Sequence, residues 1–425
     1  MADWFNWVTW ATLAVLAFAS LVVLLYPTRG AVGARLRPWV DRCLARVSGP
    51  GDLEWLDWKP VMLVGLLVFA AVSTYGVVSG QYGCRPPGLS DPVGLLNSGR
   101  AFWAGQNPFS VPDCGGQIDV PYGLAAVLLD ALGSLGGVPG IYVVWGAIAF
   151  TIVPLVGHLA TTDRRQVLLY VGTSVLLVPV VTSQIDGATN AIVPVVVLLS
   201  LYLAERHEIA AAALGGFLSS ARFPNLFPVL AGTGGRRRRY LAFATAAASF
   251  GAATALAYAL WGSNFLDPVF FQQLGRRSFS LNLYGVLLLS NALPSSLAIE
   301  VGQATLTLAL VLAAFFFVRS PIRSVAIVLT GLALLTPFLS FTILVWLLPV
   351  ALAGTRARWW LWGVALVGSL NYDLALNVWA WEDGVSWPSA ALDVVLTVLL
   401  IALFVELWRT ELAARRPLAA ASGVR

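Results

Sequence analysis

Apolar runs of about 20 residues, each long enough for a helix to cross a membrane, recur from residue 5 to residue 408 of this chain. That recurrence limits the fold more than any other feature. A helix that is apolar on every side has no face for water and must be buried, in protein or in lipid. Charged residues make up 11% of the chain, against about 25% in a soluble domain, and the mean hydropathy is +0.80. The expected class is an all-α polytopic membrane protein. The first run, 5–26, lacks a basic leading segment and a small-residue cleavage site, so it reads as a crossing and not as a removable signal.

Eleven crossings are expected, at 5–26, 60–80, 139–159, 166–182, 187–204, 240–261, 298–318, 324–338, 340–354, 359–379 and 390–408. Two further apolar stretches, 121–137 and 208–231, spoil the alternation of sides if both cross. The first reads as a short segment returning to the outer side. The second is broken by Arg222, Pro224 and Pro228 and reads as re-entrant from the cytoplasm, because broken backbone is tolerated where protein buries it. Arg and Lys in short loops favour the cytoplasm, and this threading puts 21 of the 26 basic residues there. Arg85, Arg100, Arg276 and Arg277 face outward, and Arg222 lies inside the re-entrant segment. The organisation divides into an extra N-terminal helix and basic loop at 1–59, a membrane module at 60–354 with an outer loop at 81–120, and C-terminal helices with a basic tail at 355–425.

Several function classes lose support at once. The chain has no HExxH, no CxxC, no Walker-type loop and no GxGxxG after a strand. The net charge of +5 sits in short loops and carries no argument for nucleic acid. Two His and three Cys give no clustered ligand set, so neither a metal nor a cofactor is expected. Cys84 and Cys114 share the outer loop, where a disulfide is chemically permitted and two free thiols are the alternative; Cys43 lies in a cytoplasmic loop.

That outer loop carries the densest polar stretch, LSDPVGLLNSGRAFWAGQNPF at 89–109. Asp91 fits a helix N-cap with Pro92 at the first helical position. Val93, Leu95, Leu96, Ala101, Phe102 and Trp103 suit an amphipathic interfacial helix. The helix is followed by a Gly105-Gln-Asn-Pro108-Phe109 turn. Further on come Asp119-Val-Pro121-Tyr122, the turn Ser183-Gln184-Ile-Asp186-Gly187, the basic residue beside proline in GGFLSSARFPNLFPVL, the outer Ser280-Leu-Asn282-Leu-Tyr284, and Pro337-Phe-Leu-Ser340.

In this order the motifs resemble the GT-C superfamily of integral-membrane glycosyltransferases, in particular the mannosyltransferase-type family that uses polyprenyl-phosphate sugars. The resemblance covers roughly residues 60–354. The chain departs from the family pattern at the extra N-terminal helix, at Val120 in place of the first Tyr of Tyr-Pro-Pro, at Ser183 for Gly and at Arg222 for Lys. The resemblance implies inverting transfer of a hexose, with mannose the expected sugar, to a lipid or polysaccharide acceptor on the extracytoplasmic face of the cell membrane. It implies Asp91 as the base, although an N-cap role alone would also explain that residue.

The leaving phosphate needs donors where its charge develops. Arg276 and Arg277 are the preferred holders, since they face outward against the positive-inside tendency; binding of anionic lipid headgroups is the alternative. Asn282 and Tyr284 are their polar neighbours. Arg100, Asp119, Tyr122, Gln184 and Asp186 are candidates for sugar or acceptor contacts, with a helix cap the alternative for Asp186. The expected partners are membrane lipids, the lipid-linked donor and the acceptor. Two rival functions remain on the sequence alone: a lipid-linked-sugar flippase or transporter, and a noncatalytic scaffold of envelope assembly.

Overall fold

The computed structural model describes residues 91–111, 123–159, 192–266, 287, 297–336, 346–347, 349–351, 363–364, 367–368 and 387–422. All regular structure among these residues is helical. The helices are α1 (Asp91–Trp103), α2 (Leu124–Ser134), α3 (Gly137–Phe150), α4 (Ile152–Leu159), α5 (Ile192–Ala204), α6 (Glu208–Ser219), α7 (Leu226–Gly232), α8 (Arg239–Trp261), α9 (Ser263–Leu266), α10 (Leu297–Phe317), α11 (Pro321–Leu335) and α12 (Trp387–Ser422). Short 3-10 turns lie at Pro108–Ser110 and Phe223–Asn225. The expected crossings 5–26, 60–80 and 166–182 lie outside the described residues.

Proline sets the interruptions. Between α3 and α4 the chain breaks at Thr151, one residue after Phe150. Residue 154 is proline and has no N–H to give the Phe150 carbonyl in a continuous helix. In the expected re-entrant stretch, Pro224 has none to give the Ser220 carbonyl in the same way. There α6 stops at Ser219, Arg222 is extended (φ −144°, ψ 118°), and α7 starts again at Leu226. Pro228 falls in the first turn of α7, where its missing N–H costs no helical bond.

The two legs of this break form a hairpin. Glu208, at the start of α6, accepts a hydrogen bond from the Arg238 backbone N–H, just before α8. Arg236, just beyond the end of α7, donates to the Leu201 carbonyl on α5. Both feet of the hairpin therefore stand at one end of the bundle. Its tip reaches Phe250 of α8, with ring centroids of Phe223 and Phe250 5.9 Å apart. Phe250 is about 16 Å along a helix about 34 Å long, so the tip lies near mid-depth.

Helix α8, 23 residues without interruption, is built inside out. Its buried residues are Ala242, Ala246, Ala253 and Ala257, while Leu241, Leu256 and Leu260 are 54%, 51% and 57% exposed. A soluble helix would hide the leucines and show the alanines. A helix packed against protein on its small residues, with its large residues outward, suits lipid, where association rests on close packing. By length and composition, α8 and the stretch Ala390–Ala414 of α12 are long and apolar enough to cross a membrane, and only 22% and 33% of their apolar windows are buried. Neither resembles a core helix of a soluble protein. By contrast, α11 is buried nearly all round and occupies the centre. Its Ser324 hydroxyl donates to the Ala231 carbonyl at the end of α7.

The described basic loops gather at the end where the hairpin has its feet. Gly234 and Gly235 approach the carbonyls of Phe315 and Arg319, and the Arg239 guanidinium lies 5.6 Å from the centroid of the Phe315 ring. Arg323 pairs with Glu411 of α12 at 2.7 Å, and the Arg319 backbone N–H donates to the same carboxylate at 2.8 Å. Burial draws Arg236 below the ordinary arginine value, with Glu208 and then Glu205 opposing the shift. The far end is aromatic: Phe109, from the stretch expected to face outward, packs edge-on against Trp261 and Phe265 at 5.3 and 5.4 Å.

Packing of α6 on α8 depends on Gly216, where an added Cβ would strike the Ala246 carbonyl. Gly216→Val is expected to cost about 1–3 kcal/mol, the usual range for overpacking. Gly251→Val, on the open side of α8 with nothing within 4 Å, is the control. Thermal unfolding of the two purified variants in detergent checks this, with a lowered midpoint expected for Gly216→Val only.

Candidate functional site

Asp91 is the first residue of α1, so the helix begins one residue earlier than an N-cap assignment for it would give. The helix docks on the bundle through Leu95, Leu96 and Ala101, all buried, while Arg100 and Trp103 remain exposed. The Trp103 indole N–H donates to the Ala131 carbonyl on α2 at 2.7 Å. Gly99 rests against the Asp130 carbonyl, at a distance that no side chain would allow. The turn that follows is held just as firmly. Asn107 Oδ1 accepts from the Phe109 backbone N–H at 2.9 Å, and Pro108 and Phe109 are buried.

A polar group lies beneath α1. Asp130 of α2 is fully buried and accepts from the Trp145 indole N–H of α3 at 2.9 Å. Ser98 of α1 lies beside the carboxyl group, but neither Asp130 Oδ2 nor the Ser98 hydroxyl closes a well-formed hydrogen bond. The cluster thus joins three consecutive helices around one carboxyl group. Composition alone leaves Asp130 unassigned. The signal available in the sequence was a carboxylate inside an apolar run, which is costly to place there without a reason.

The second polar group is the hairpin tip. The Ser220 hydroxyl accepts from the Ala125 backbone N–H at 3.2 Å, and the Ala221 carbonyl accepts from the Gly123 N–H at 3.1 Å. A Cβ on Gly123 would overlap the Ser220 carbonyl, so the approach requires glycine. The second bond satisfies the Ala221 carbonyl that the helix break leaves open, and the first satisfies an open N–H in the first turn of α2, the condition for keeping such ends away from water. The Arg222 guanidinium lies over the Trp346 ring, 5.5 Å from its centroid. Asn225 is 0% exposed, and neither its Oδ1 nor its Nδ2 has a partner; the buried Trp346 indole N–H has none either. Leaving such a group unpaired costs about 1–3 kcal/mol. The sequence reading placed Arg222 at this break but gave Asn225 and Trp346 no role.

Of the expected site residues, only Asp91 and Arg100 fall among the described residues, both on α1. Arg276, Arg277, Asn282, Tyr284, Asp119, Tyr122, Gln184, Asp186, Cys84 and Cys114 lie outside them. Among the described residues no three His, Cys, Asp or Glu side chains come together as a metal site would need. A small cleft of ≈ 20 Å³ opens between α5, α6 and α7, beside Ser200, Glu208, Thr233 and Arg236. That space holds a water and not a sugar, and it lies at the basic end, away from α1.

The chain matches no family model, no curated protein and no solved structure.

The Trp145 indole N–H reaches the buried Asp130 carboxyl directly, so its removal separates polarity from packing. Trp145→Phe is expected to lower stability by about 1–3 kcal/mol by leaving that oxygen unsatisfied. Restoring an uncharged site with Trp145→Phe together with Asp130→Leu is expected to recover most of the loss. A double-mutant cycle on the detergent-solubilised protein, read by denaturation midpoint, gives the coupling; strictly additive losses would deny it.

Proposed function

We propose that this chain is a multi-pass glycosyltransferase of GT-C type in the cell membrane, with its active site on the extracytoplasmic side. It transfers a hexose, with mannose the expected sugar, from a polyprenyl-phosphate donor to a lipid or polysaccharide acceptor. The observation that carries this reading is the docking of the Asp91 helix. The segment is not a loose linker: α1 is bound to α2 through Trp103, and its following turn is anchored on the end of α8 through Phe109. A carboxylate that must meet a reacting centre needs a mount of this kind.

Further support comes from the separation of the two ends. The arginine-rich loops meet at one end, as loops on the cytoplasmic side should, and the Asp91 segment is tied through Phe109 to the other. The exposed leucines of α8 give a polyprenyl chain an apolar surface alongside.

In the proposed reaction the acceptor oxygen attacks the anomeric carbon from the face opposite the phosphate. The bond between that carbon and the phosphate oxygen breaks, and polyprenyl phosphate departs with the electron pair. The acceptor's proton passes to the Asp91 carboxylate, and the product has inverted configuration. Arg276 and Arg277, with Asn282 and Tyr284, stabilise the departing phosphate. Arg100, Asp119, Tyr122, Gln184 and Asp186 bind sugar or acceptor.

Asp91→Asn keeps the size and removes the base, so transfer is expected to fall about 10²–10⁴-fold. Purified protein is given radiolabelled polyprenyl-phosphate mannose and a mixed lipid extract, and new glycolipid is counted. Full turnover in the variant would take the carboxylate out of the chemistry. Movement of donor across a vesicle membrane without product would identify a flippase, and neither outcome a scaffold.

A further inference from the structure

The end of the bundle that carries the arginine loops also carries a connected set of aromatic rings. Arg239, the first residue of α8, has its guanidinium 4.8 Å from the Tyr240 ring centroid and 5.6 Å from that of Phe315. Its Nη2 donates to the Tyr240 hydroxyl at 3.0 Å. Tyr240 meets Phe315 edge-on at 5.8 Å, and Phe315 meets Phe316 in the same way at 5.0 Å. One guanidinium and three rings, from the start of α8 and the end of α10, thus stand in mutual contact. A cation within about 6 Å of a ring face is attracted by the ring, so this contact holds Arg239 in place.

Packing within the protein leaves two features of this cluster unaccounted for. Tyr240, Leu241, Phe316 and Phe317 are all exposed. The positive charge is also uncompensated: among the described residues the side chains of Arg237, Arg238, Arg239 and Arg319 form no ion pair. Glu411 is taken by Arg323 and the Arg319 backbone, and Glu208 meets the Arg238 backbone. Arg237, Arg238 and Arg319 are exposed, and Gly235 rests against the Arg319 carbonyl, which brings the two loops side by side.

The shape of the apolar part narrows the occupant. Leu308, Leu312 and Phe316 are exposed at intervals of four residues, so they share one face of α10. They form a strip about 12 Å long that leads away from the arginines. A free anion would match the arginines and leave the strip bare, and a neutral hydrocarbon would do the reverse. An acidic peptide following the strip would carry unpaired peptide groups into an apolar layer. A lipid with an anionic headgroup matches both parts, and arginine takes two phosphate oxygens at once.

We propose that this ledge binds an anionic glycerophospholipid of the leaflet at the basic end. Arg239, held on Tyr240 and Phe315, takes the phosphate oxygens, and one acyl chain lies along Leu308, Leu312 and Phe316. Arg238 and Arg319 add positive charge beside the headgroup. The site lies at the end opposite the Asp91 segment and involves no transfer chemistry. It needs only that α8 and α10 stand in a membrane, and it serves a transferase, a flippase or a scaffold alike by joining α8 to α10 at the feet of the hairpin.

The purified full chain in neutral detergent is titrated with dioleoylphosphatidylglycerol and, separately, with dioleoylphosphatidylcholine, following the thermal midpoint. The anionic lipid is expected to raise the midpoint more. Arg239→Gln is expected to weaken its binding about fivefold or more, the share of one basic residue at an anionic membrane surface. Tyr240→Leu, which keeps every charge and removes the ring and hydroxyl that hold Arg239, is expected to weaken it as well. Arg206→Gln removes an exposed arginine of the α5–α6 loop, outside the ring cluster, and is expected to leave the affinity unchanged. Equal shifts by the two lipids, or unchanged affinity in either Arg239→Gln or Tyr240→Leu, would overturn the site. So would an equal loss in Arg206→Gln, the mark of diffuse attraction. Glycolipid formation plays no part in this readout. Binding without transfer removes only the transferase reading, and transfer with no preference between the two lipids removes only the site.

Discussion

A peptide chain that turns back inside an apolar layer must find partners for its own N–H and carbonyl groups there, and the rest of this structure follows from that requirement. At the α6–α7 break the helix ladder stops, and the break and the first turn of α2 satisfy each other's open groups. The Ser220 hydroxyl takes the Ala125 N–H and the Ala221 carbonyl takes the Gly123 N–H. Such bonds are worth only about 0.5–1.5 kcal/mol each in net terms, but failing to make them in a dry interior costs more. The contact therefore fixes the position of α2, and α2 in turn fixes α1 through Trp103 and the Gly99 approach. The segment that begins at Asp91 is thus held, two helices removed, by the same hairpin that brings Arg222 into the bundle.

The division between ends has a separate physical origin. Glu411 is nearly inaccessible, and its carboxylate is met by the Arg323 guanidinium and the Arg319 N–H. A buried charge of this kind holds its partners because solitary burial would cost several kcal/mol. It attaches α12 to the start of α11 and so fixes the basic end. Aromatic edges around Phe109 fix the other. Helix α1, which begins at Asp91, and the hairpin tip that carries Asn225 both rest on α2 between these ends.

Local chemistry made some elements legible from the sequence. The expected crossing 240–261 is α8 within a residue at its start, and 298–318 is α10 shifted by one. The break in 208–231 was written in Arg222, Pro224 and Pro228, since proline acts on its own backbone wherever it stands. The site was harder to read, because its pairings join residues far apart in the chain. Asp130 and Trp145 each look like an isolated oddity in an apolar run until α2 and α3 fold together. Phe109 looked like part of a turn motif, and nothing local says that it seats on Trp261. Helix α12 also outran its expected end at 408. The charged residues that close an apolar run do not close a helix, because Glu, Leu, Ala and Arg are all good helix formers.

That overrun has a mechanical meaning. At 36 residues, α12 is about 54 Å long, well beyond a hydrocarbon layer of about 30 Å. With Glu411 clasped at the basic end, the stretch from Leu412 to Ser422 continues past the clasp as about 16 Å of helix, with one ladder bond missing at Pro417. Leu412, Ala413 and Ala414, the exposed residues just past the clasp, are thereby keyed to α11, so a load on that turn is delivered into the centre of the bundle.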